Sequence, residues 1–292
     1  MVLTFPQDEP FESYSERLSP FFKMKREDGI IEVRMHTKGS EALFSFELHR
    51  AYGQMFRAVG ADRQNEVMIL TGTGDHWALP MKPPTSANQN RNGEDKPPPV
   101  KSAYDPSYGP YDRTYIDGIK IMEEMIWSVN IPVIGAVNGP GFHTETAFMA
   151  DLTLCTPDTR FIEPHFTLGI VPGDGNFLVL QELMGIKRAN KAMYLGHPVT
   201  AQQALDWGLV NDIVPRSDLS AHSWAMARHL MERPREVRAL TTAVARQRWR
   251  NVVSRDLPMH LTHQITGSLI RPMSMQAQDD VITGKSGYFV MK

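Results

Sequence analysis

One cysteine, Cys155, stands among 292 residues, so the chain cannot close an internal disulfide, and its cysteine usage fits a reducing compartment. Charge of one sign is equally scarce. Thirty-one Lys and Arg face thirty-three Asp and Glu, a formal net charge of −2, with no basic stripe of the kind that tracks phosphates, which argues against nucleic acid as a partner. Long apolar runs are missing too: none reaches the roughly twenty residues of a membrane span. The N-terminal stretch MVLTFPQDEPFESYSERLSP carries acids and prolines where an export leader has a basic start and an apolar run. The sequence reads as a soluble, cytoplasmic protein whose 41% hydrophobic content suffices for one full core.

What the chain does have is a hydrophobic period that keeps changing. IIEVRMHT (30–37) alternates as a strand, and Gly39-Ser40 turns into ALFSFELHRAYGQMFRAV, where Leu43, Phe46, Tyr52, Met55 and Phe56 share a helical face. NEVMILTGTG (65–74) follows as a buried strand. A helix through Ile116, Ile119, Met122, Met125 and Ile126, the strand IPVIGAVNG, a short helix after Gly141 and the strand DLTLCT continue the alternation. This order implies an α/β core with mainly parallel pairing. GNFLVLQELMG reads as a helix closed by Gly185, and TAQQALDWG as a helix opened by a Thr200/Gln203 capping box and closed by Gly208. From Ser217 to about residue 270 the pattern is helical throughout. The expected organisation is an N-terminal extension over 1–24, a core over 25–215, and a helical region over 216–292. Residues 80–111 resist assignment: eight of the chain's twenty-one prolines fall there, with Tyr104, Tyr108 and Tyr111 near the end. A segment of this composition is a solvated insertion or, in its Tyr-rich half, a lid over a pocket.

The block from IPVIGAVNGPGFHTETAF through EPHFTLGIVPGDGN to TAQQALDWGLVNDIVP resembles the crotonase (enoyl-CoA hydratase/isomerase) superfamily over roughly residues 25–285. The resemblance implies a spiral of ββα units with a C-terminal helical part that makes trimers, often paired into hexamers. The departures from the hydratase pattern carry more information. The glycine triplet that helps hold a thioester oxyanion is replaced by GPGFH, and the acid/base carboxylate of the hydratase "PE" is His165, while Glu145 retains the other position. These departures look like the β-diketone hydrolase (6-oxocamphor hydrolase-like) branch, which cleaves a carbon–carbon bond between two carbonyls without coenzyme A. That branch's functional set falls on His49, His143, His165 and Asp174. Two positions differ: an aromatic that is often Trp is here Phe44, and a late-helix Glu falls on Gln264.

The chemistry stands beside the resemblance. Cleaving a 1,3-diketone needs a water made basic and a donor for the developing oxyanion. His165 held by Asp174 suits the first task and His143 the second. Each residue also has a plainer use. Asp174 precedes a helix and is a natural N-cap; His165 suits a core histidine satisfied by backbone; His143 is a loop residue in a glycine's place; His49 suits a half-buried helix position. Phe44, Trp77, Phe142, Phe166, Phe177 and Gln264 are the candidates for shaping a substrate pocket. No histidine pair shows metal-ligand spacing, so no metal and no cofactor is expected. Two other readings remain: a CoA-thioester hydratase or isomerase using Glu145, and a catalytically silent trimeric scaffold.

Overall fold

The computed structural model describes residues 9–80 and 111–270; most of the Pro/Tyr-rich segment, with Tyr104 and Tyr108, lies outside them. A helix, α1 (Phe11–Arg17), leads into a hairpin of β1 (Phe22–Glu27) and β2 (Ile30–Met35). Then come α2 (Phe46–Ala61), β3 (Val67–Thr71), α3 (Asp117–Glu123) between two π-helical turns at Tyr111–Ile116 and Glu124–Ser128, and β4 (Val133–Val137). The short α4 (Glu145–Phe148) precedes β5 (Leu152–Cys155) and β6 (Arg160–Phe161). Helices α5 (Asn176–Met184) and α6 (Ile186–Leu195), strand β7 (Val199–Thr200), α7 (Ala201–Trp207) and β8 (Asp212–Ile213) follow. The chain closes with α8 (Arg216–Met231), α9 (Arg235–Ala245) and α10 (Gln247–Ile270).

The main sheet runs β1-β2-β3-β4-β5-β8. Only β1–β2 is antiparallel; every later pairing in that sheet is parallel. Parallel strands are covered on both faces, and the side chains alternate accordingly. Ile31, Val33, Met68, Leu70, Val133 and Val137 pack towards α2 and α3, whereas Ile30, Val67, Ile69, Ile134 and Leu154 meet Leu219, Trp224 and Ala227 of α8. On α2, Leu48, Met55, Phe56 and Val59 are buried, each contributing about 1.5–3 kcal/mol from burial.

Two local expectations shift. The helix containing His49 starts only at Phe46, because the Ser45 side chain accepts the Leu48 N–H and caps it. Leu43 instead bridges Leu79 in parallel fashion, extending the strand-like path. Strand β1 has no counterpart in the sequence reading: FKMKRE is an edge strand whose Lys23, Lys25 and Glu27 face solvent, as edges that avoid further pairing do. Helices α1 and α6 and the short strands β6, β7 and β8 likewise have no assignment in the sequence pattern. The Thr200/Gln203 capping box is formed, Gly208 closes α7 in the left-handed conformation, and Gly185 ends α5.

Candidate active site

The site gathers beyond the carboxyl ends of the parallel strands, where open α/β sheets place ligands. The loop after β2 brings Phe44, that after β3 Trp77, that after β4 His143, and the chain beyond β5 and β6 supplies Glu163, His165 and Asp174. The reversal at Gly173-Asp174-Gly175 explains the glycines around the aspartate. A Cβ on Gly173 would lie 2.3 Å from the His260 carbonyl oxygen of α10. Gly175 has φ 104° and abuts Met122, a conformation and a closeness that only glycine tolerates. The turn is thereby pressed between α3 and α10, and Asp174 is set facing inward, 7% exposed.

Asp174 stands between two imidazoles. Its Oδ2 lies 3.2 Å from His165 Nε2 and 3.7 Å from His143 Nδ1. Oδ1 accepts the Asn176 N–H at 3.2 Å. The helix cap itself is Gly175, so Asp174 assists the start of α5 from one residue upstream while keeping its other oxygen for the histidines. His143 Nδ1 also meets Glu145 Oε1 at 3.1 Å. His143 has φ 54°, a left-handed conformation uncommon for a residue with a side chain. Its ring stacks on Phe44 at 4.2 Å, and its carbonyl accepts the Trp77 indole N–H at 3.0 Å. The sequence reading missed Glu163, which is buried and lies 2.6 Å from His165 Nδ1 through Oε1. The same oxygen accepts the His165 backbone N–H at 3.1 Å, and Oε2 accepts from Asn176 Nδ2 at 2.8 Å. The available signal was spacing: Glu-Pro-His puts a carboxylate two residues from an imidazole on one side of an extended chain.

The charges follow from these contacts. Burial pulls His165 down, but the charges of Asp174 and Glu163 and their hydrogen bonds outweigh it and hold the imidazole well above the ordinary 6.5. For His143 burial likewise pulls down; the charge and hydrogen bond of Glu145, then Asp174, raise it above its ordinary value against the opposing charge of His165. Burial would raise Asp174, yet the two histidines hold its carboxyl well below the usual range. Glu145 is raised, burial prevailing over His143. Glu145 and Asp174 are the carboxylates that meet His143 Nδ1. Gln264 is buried on α10 beside Gly173, its Oε1 without a hydrogen-bond partner among the described residues.

His49 behaves in the opposite way. Buried on α2, edge-on to Phe44 and to His143 at 5.6 Å from each, it is pushed down to about 3 by burial and by the neighbouring His143 charge. It is therefore neutral. Trp77 is fully buried and meets the site through the His143 carbonyl. Phe142 is half-buried, its N–H donating to the Ala78 carbonyl. Phe166 lies half in solvent, edge-on to Tyr194, and Phe177 packs against the main core. Glu163, His165 and Asp174 offer ligand atoms within 4.8 Å of one another. The imidazole, however, lies between the carboxylates, one on each ring nitrogen, so an ion bound at one nitrogen faces away from the opposite carboxylate. The arrangement is a chain of charged hydrogen bonds more than a metal cage.

Comparison with known proteins decides the family. The enoyl-CoA hydratase/isomerase family pattern matches residues 108–277. The chain belongs to that family. A β-diketone hydrolase from the cyanobacterium Anabaena, solved with (S)-3-oxocyclohexyl acetic acid bound, is 30% identical, with a TM-score of 0.76, covering 91% of this chain and 100% of that one. Carnitinyl-CoA dehydratase of Escherichia coli is 29% identical over 219 residues, 73% of this chain and 76% of that protein. An enoyl-CoA hydratase/isomerase from Mycobacterium paratuberculosis, 18% identical, superposes with a TM-score of 0.71 over 91% of this chain and 98% of that one, which speaks to fold alone. The fold is the crotonase fold of the family, with helices α8 to α10 at the C-terminal end. No described helix is long and apolar enough to cross a membrane.

Proposed function

We propose that this family member is a CoA-independent hydrolase that cleaves the carbon–carbon bond between two carbonyls of a small diketone. The observation that carries the reading is the shared carboxylate: Asp174 Oδ2 within 3.2 Å of His165 and 3.7 Å of His143. His165, at the position of the hydratase carboxylate, takes a proton from water as the water oxygen attacks one carbonyl carbon. His143, whose protonated form Glu145 and Asp174 favour, donates to the oxygen on which negative charge develops. Collapse breaks the C–C bond, and its electron pair goes to the carbon between the carbonyls as an enolate, which is then protonated there. One water is consumed, a carboxylic acid and a ketone are formed, on one molecule when the diketone is cyclic, and neither oxidant nor thioester is required.

The ligand named for the Anabaena hydrolase, a ketone carrying an acetic acid arm, is the kind of product that hydrolysis of a bridged bicyclic 1,3-diketone leaves. A cyclic diketone of that size is the substrate class we assign. The carnitinyl-CoA dehydratase likeness favours a thioester reading in its place, with Glu145 as acid/base. Against it, Glu145 is committed to His143. The scaffold reading leaves a buried cluster of five ionisable groups without a use, at a stability cost. A homotrimer or a dimer of trimers in the cytoplasm belongs to the same reading; Val237, Leu240 and Val244, exposed along one face of α9, offer an apolar surface for assembly.

The test is to incubate the purified protein with a bridged bicyclic 1,3-diketone and, separately, with an enoyl-CoA thioester. Products are followed by chromatography. Keto acid formed without added coenzyme A is expected; turnover confined to the thioester would overturn the proposal.

A further inference from the structure

We propose that Glu163 is the positioning residue that fixes the His165 ring, a task expected of Asp174 from the motif, and that Asp174 instead faces the working nitrogen. The inference rests on the hydrolase reading above for its kinetic consequence, though not for its geometry. A histidine that acts as base keeps its proton on one ring nitrogen and works with the other; the orienting carboxylate belongs on the protonated side. Glu163 Oε1 is on Nδ1 at 2.6 Å and also accepts the same residue's backbone N–H. These contacts pin both the ring and the main chain of His165 to one oxygen. Asn176, the first residue of α5, holds the other oxygen, so the rotamer of Glu163 is set from a separate element. Asp174, on Nε2 at the longer 3.2 Å, lies where a nucleophilic water must arrive, and its second neighbour is His143. A water exchanging into the Nε2–Asp174 contact meets a base and a carboxylate together, whereas no substrate group needs to enter the Glu163 side, which is fully enclosed.

The groups that face His165 are Glu163 on its own segment, Asp174 ahead of α5, and His143 on the loop after β4, with Glu145 and His49 acting on it through His143. Burial lowers the imidazole, and the charges and hydrogen bonds of Asp174 and Glu163 raise it. Because a base works only when deprotonated, rate falls as pH drops through the His165 titration, and that acid limb lies above pH 6.5 in the parent. Replacing Glu163 by Gln keeps an oxygen acceptor for Nδ1 and removes one of the two charges.

The experiment has one arm without substrate. Nitrogen-15 NMR titration of the histidines in the parent, Glu163→Gln and Glu163→Asp proteins reads tautomer and titration of His165 directly. Expected are a proton on Nδ1 at all pH values in the parent, a titration lowered by roughly one to three pH units in Glu163→Gln, and return towards the parent in Glu163→Asp. In the kinetic arm the acid limb of kcat/KM on the diketone moves by the same amount. An Nδ1 that is unprotonated in the neutral form, or a His165 titration unchanged in folded Glu163→Gln, overturns the assignment. If the titration moves as stated while no diketone is cleaved, the positioning role stands and the hydrolase reading fails.

Discussion

The two sides of the site treat buried histidine in opposite ways. On the side built by α2 and the loops after β2 and β3, Phe44, His49 and Trp77 form a neutral lining, and burial drives His49 down to about 3. On the side built by residues 163–176, His165 is almost as enclosed, 12% exposed at the side chain, yet held well above its ordinary value by two carboxylates. Burial alone therefore says nothing about the charge of an imidazole; its carboxylate neighbours do. His143 sits between the two, its face on Phe44 and its Nδ1 on Glu145 and Asp174, and so takes rigidity from one side and charge from the other.

The sharpest way to break the contrast is to discharge the charged side. Asp174→Asn preserves shape and still offers an oxygen to the Asn176 N–H, but removes the negative charge that both histidines share. Loss of about three to four orders of magnitude in kcat is expected, with the fold retained, because Gly175 caps α5 whatever residue 174 is. Near-parent turnover in a folded Asp174→Asn protein reduces the aspartate to a helix-start device. His143→Ala removes the donor and leaves His165 with both carboxylates. A fall of about two to three orders of magnitude is expected; an unchanged rate transfers oxyanion stabilisation to a backbone N–H.

The sequence made this contrast half legible. The strand–helix alternation, the capping box at Thr200 and the glycine at 185 were readable because each depends on neighbours a few residues away. His143, His165 and Asp174 were readable through motif positions. Glu163 was not, since an acid next to proline looks like any solvated charge until the chain after β6 folds it inside. Strand β1 was hidden for the converse reason: an edge strand carries lysines that mask its alternation. Trp77 and Phe166 show that residue type does not report exposure. Both were candidates for a pocket lining, and one is fully enclosed while the other is half in solvent. Their difference arises from contacts across the molecule that no local pattern encodes.

A smaller effect distinguishes the two histidines thermodynamically. The unfolded chain binds a proton at His49 near pH 6.5 and the folded chain only near 3, so stability falls with decreasing pH between those values, by up to about 1.4 kcal/mol per unit. His165 has the reverse sign: raised in the folded state, it contributes stability that is fully present below pH 6.5 and lost as pH rises through its folded value. Urea unfolding of His49→Gln at pH 6.5 and pH 5 checks the first half. The variant is expected to lose about 1–2 kcal/mol less than the parent over that interval. Equal losses imply that His49 is solvated and not part of the neutral side.

The smallest expected effect on turnover tests whether the neutral side has any part in placing the charged one. His143 is held at φ 54°, a conformation that costs about 1 kcal/mol or more for a residue with a side chain. The Trp77 indole N–H on its carbonyl is the described hydrogen bond that secures it from the enclosed side. Trp77→Phe keeps an aromatic ring in the core and removes that donor, leaving a carbonyl to find another partner. A stability loss of about 1–3 kcal/mol is expected. If the bond also fixes the ring on Phe44, kcat falls about five- to tenfold with KM little changed, since a loosened donor weakens the transition state more than the bound substrate. A lowered melting temperature with kcat intact would confine Trp77 to core filling, and the left-handed turn of His143 would then be maintained by Glu145, Asp174 and the stack on Phe44 alone.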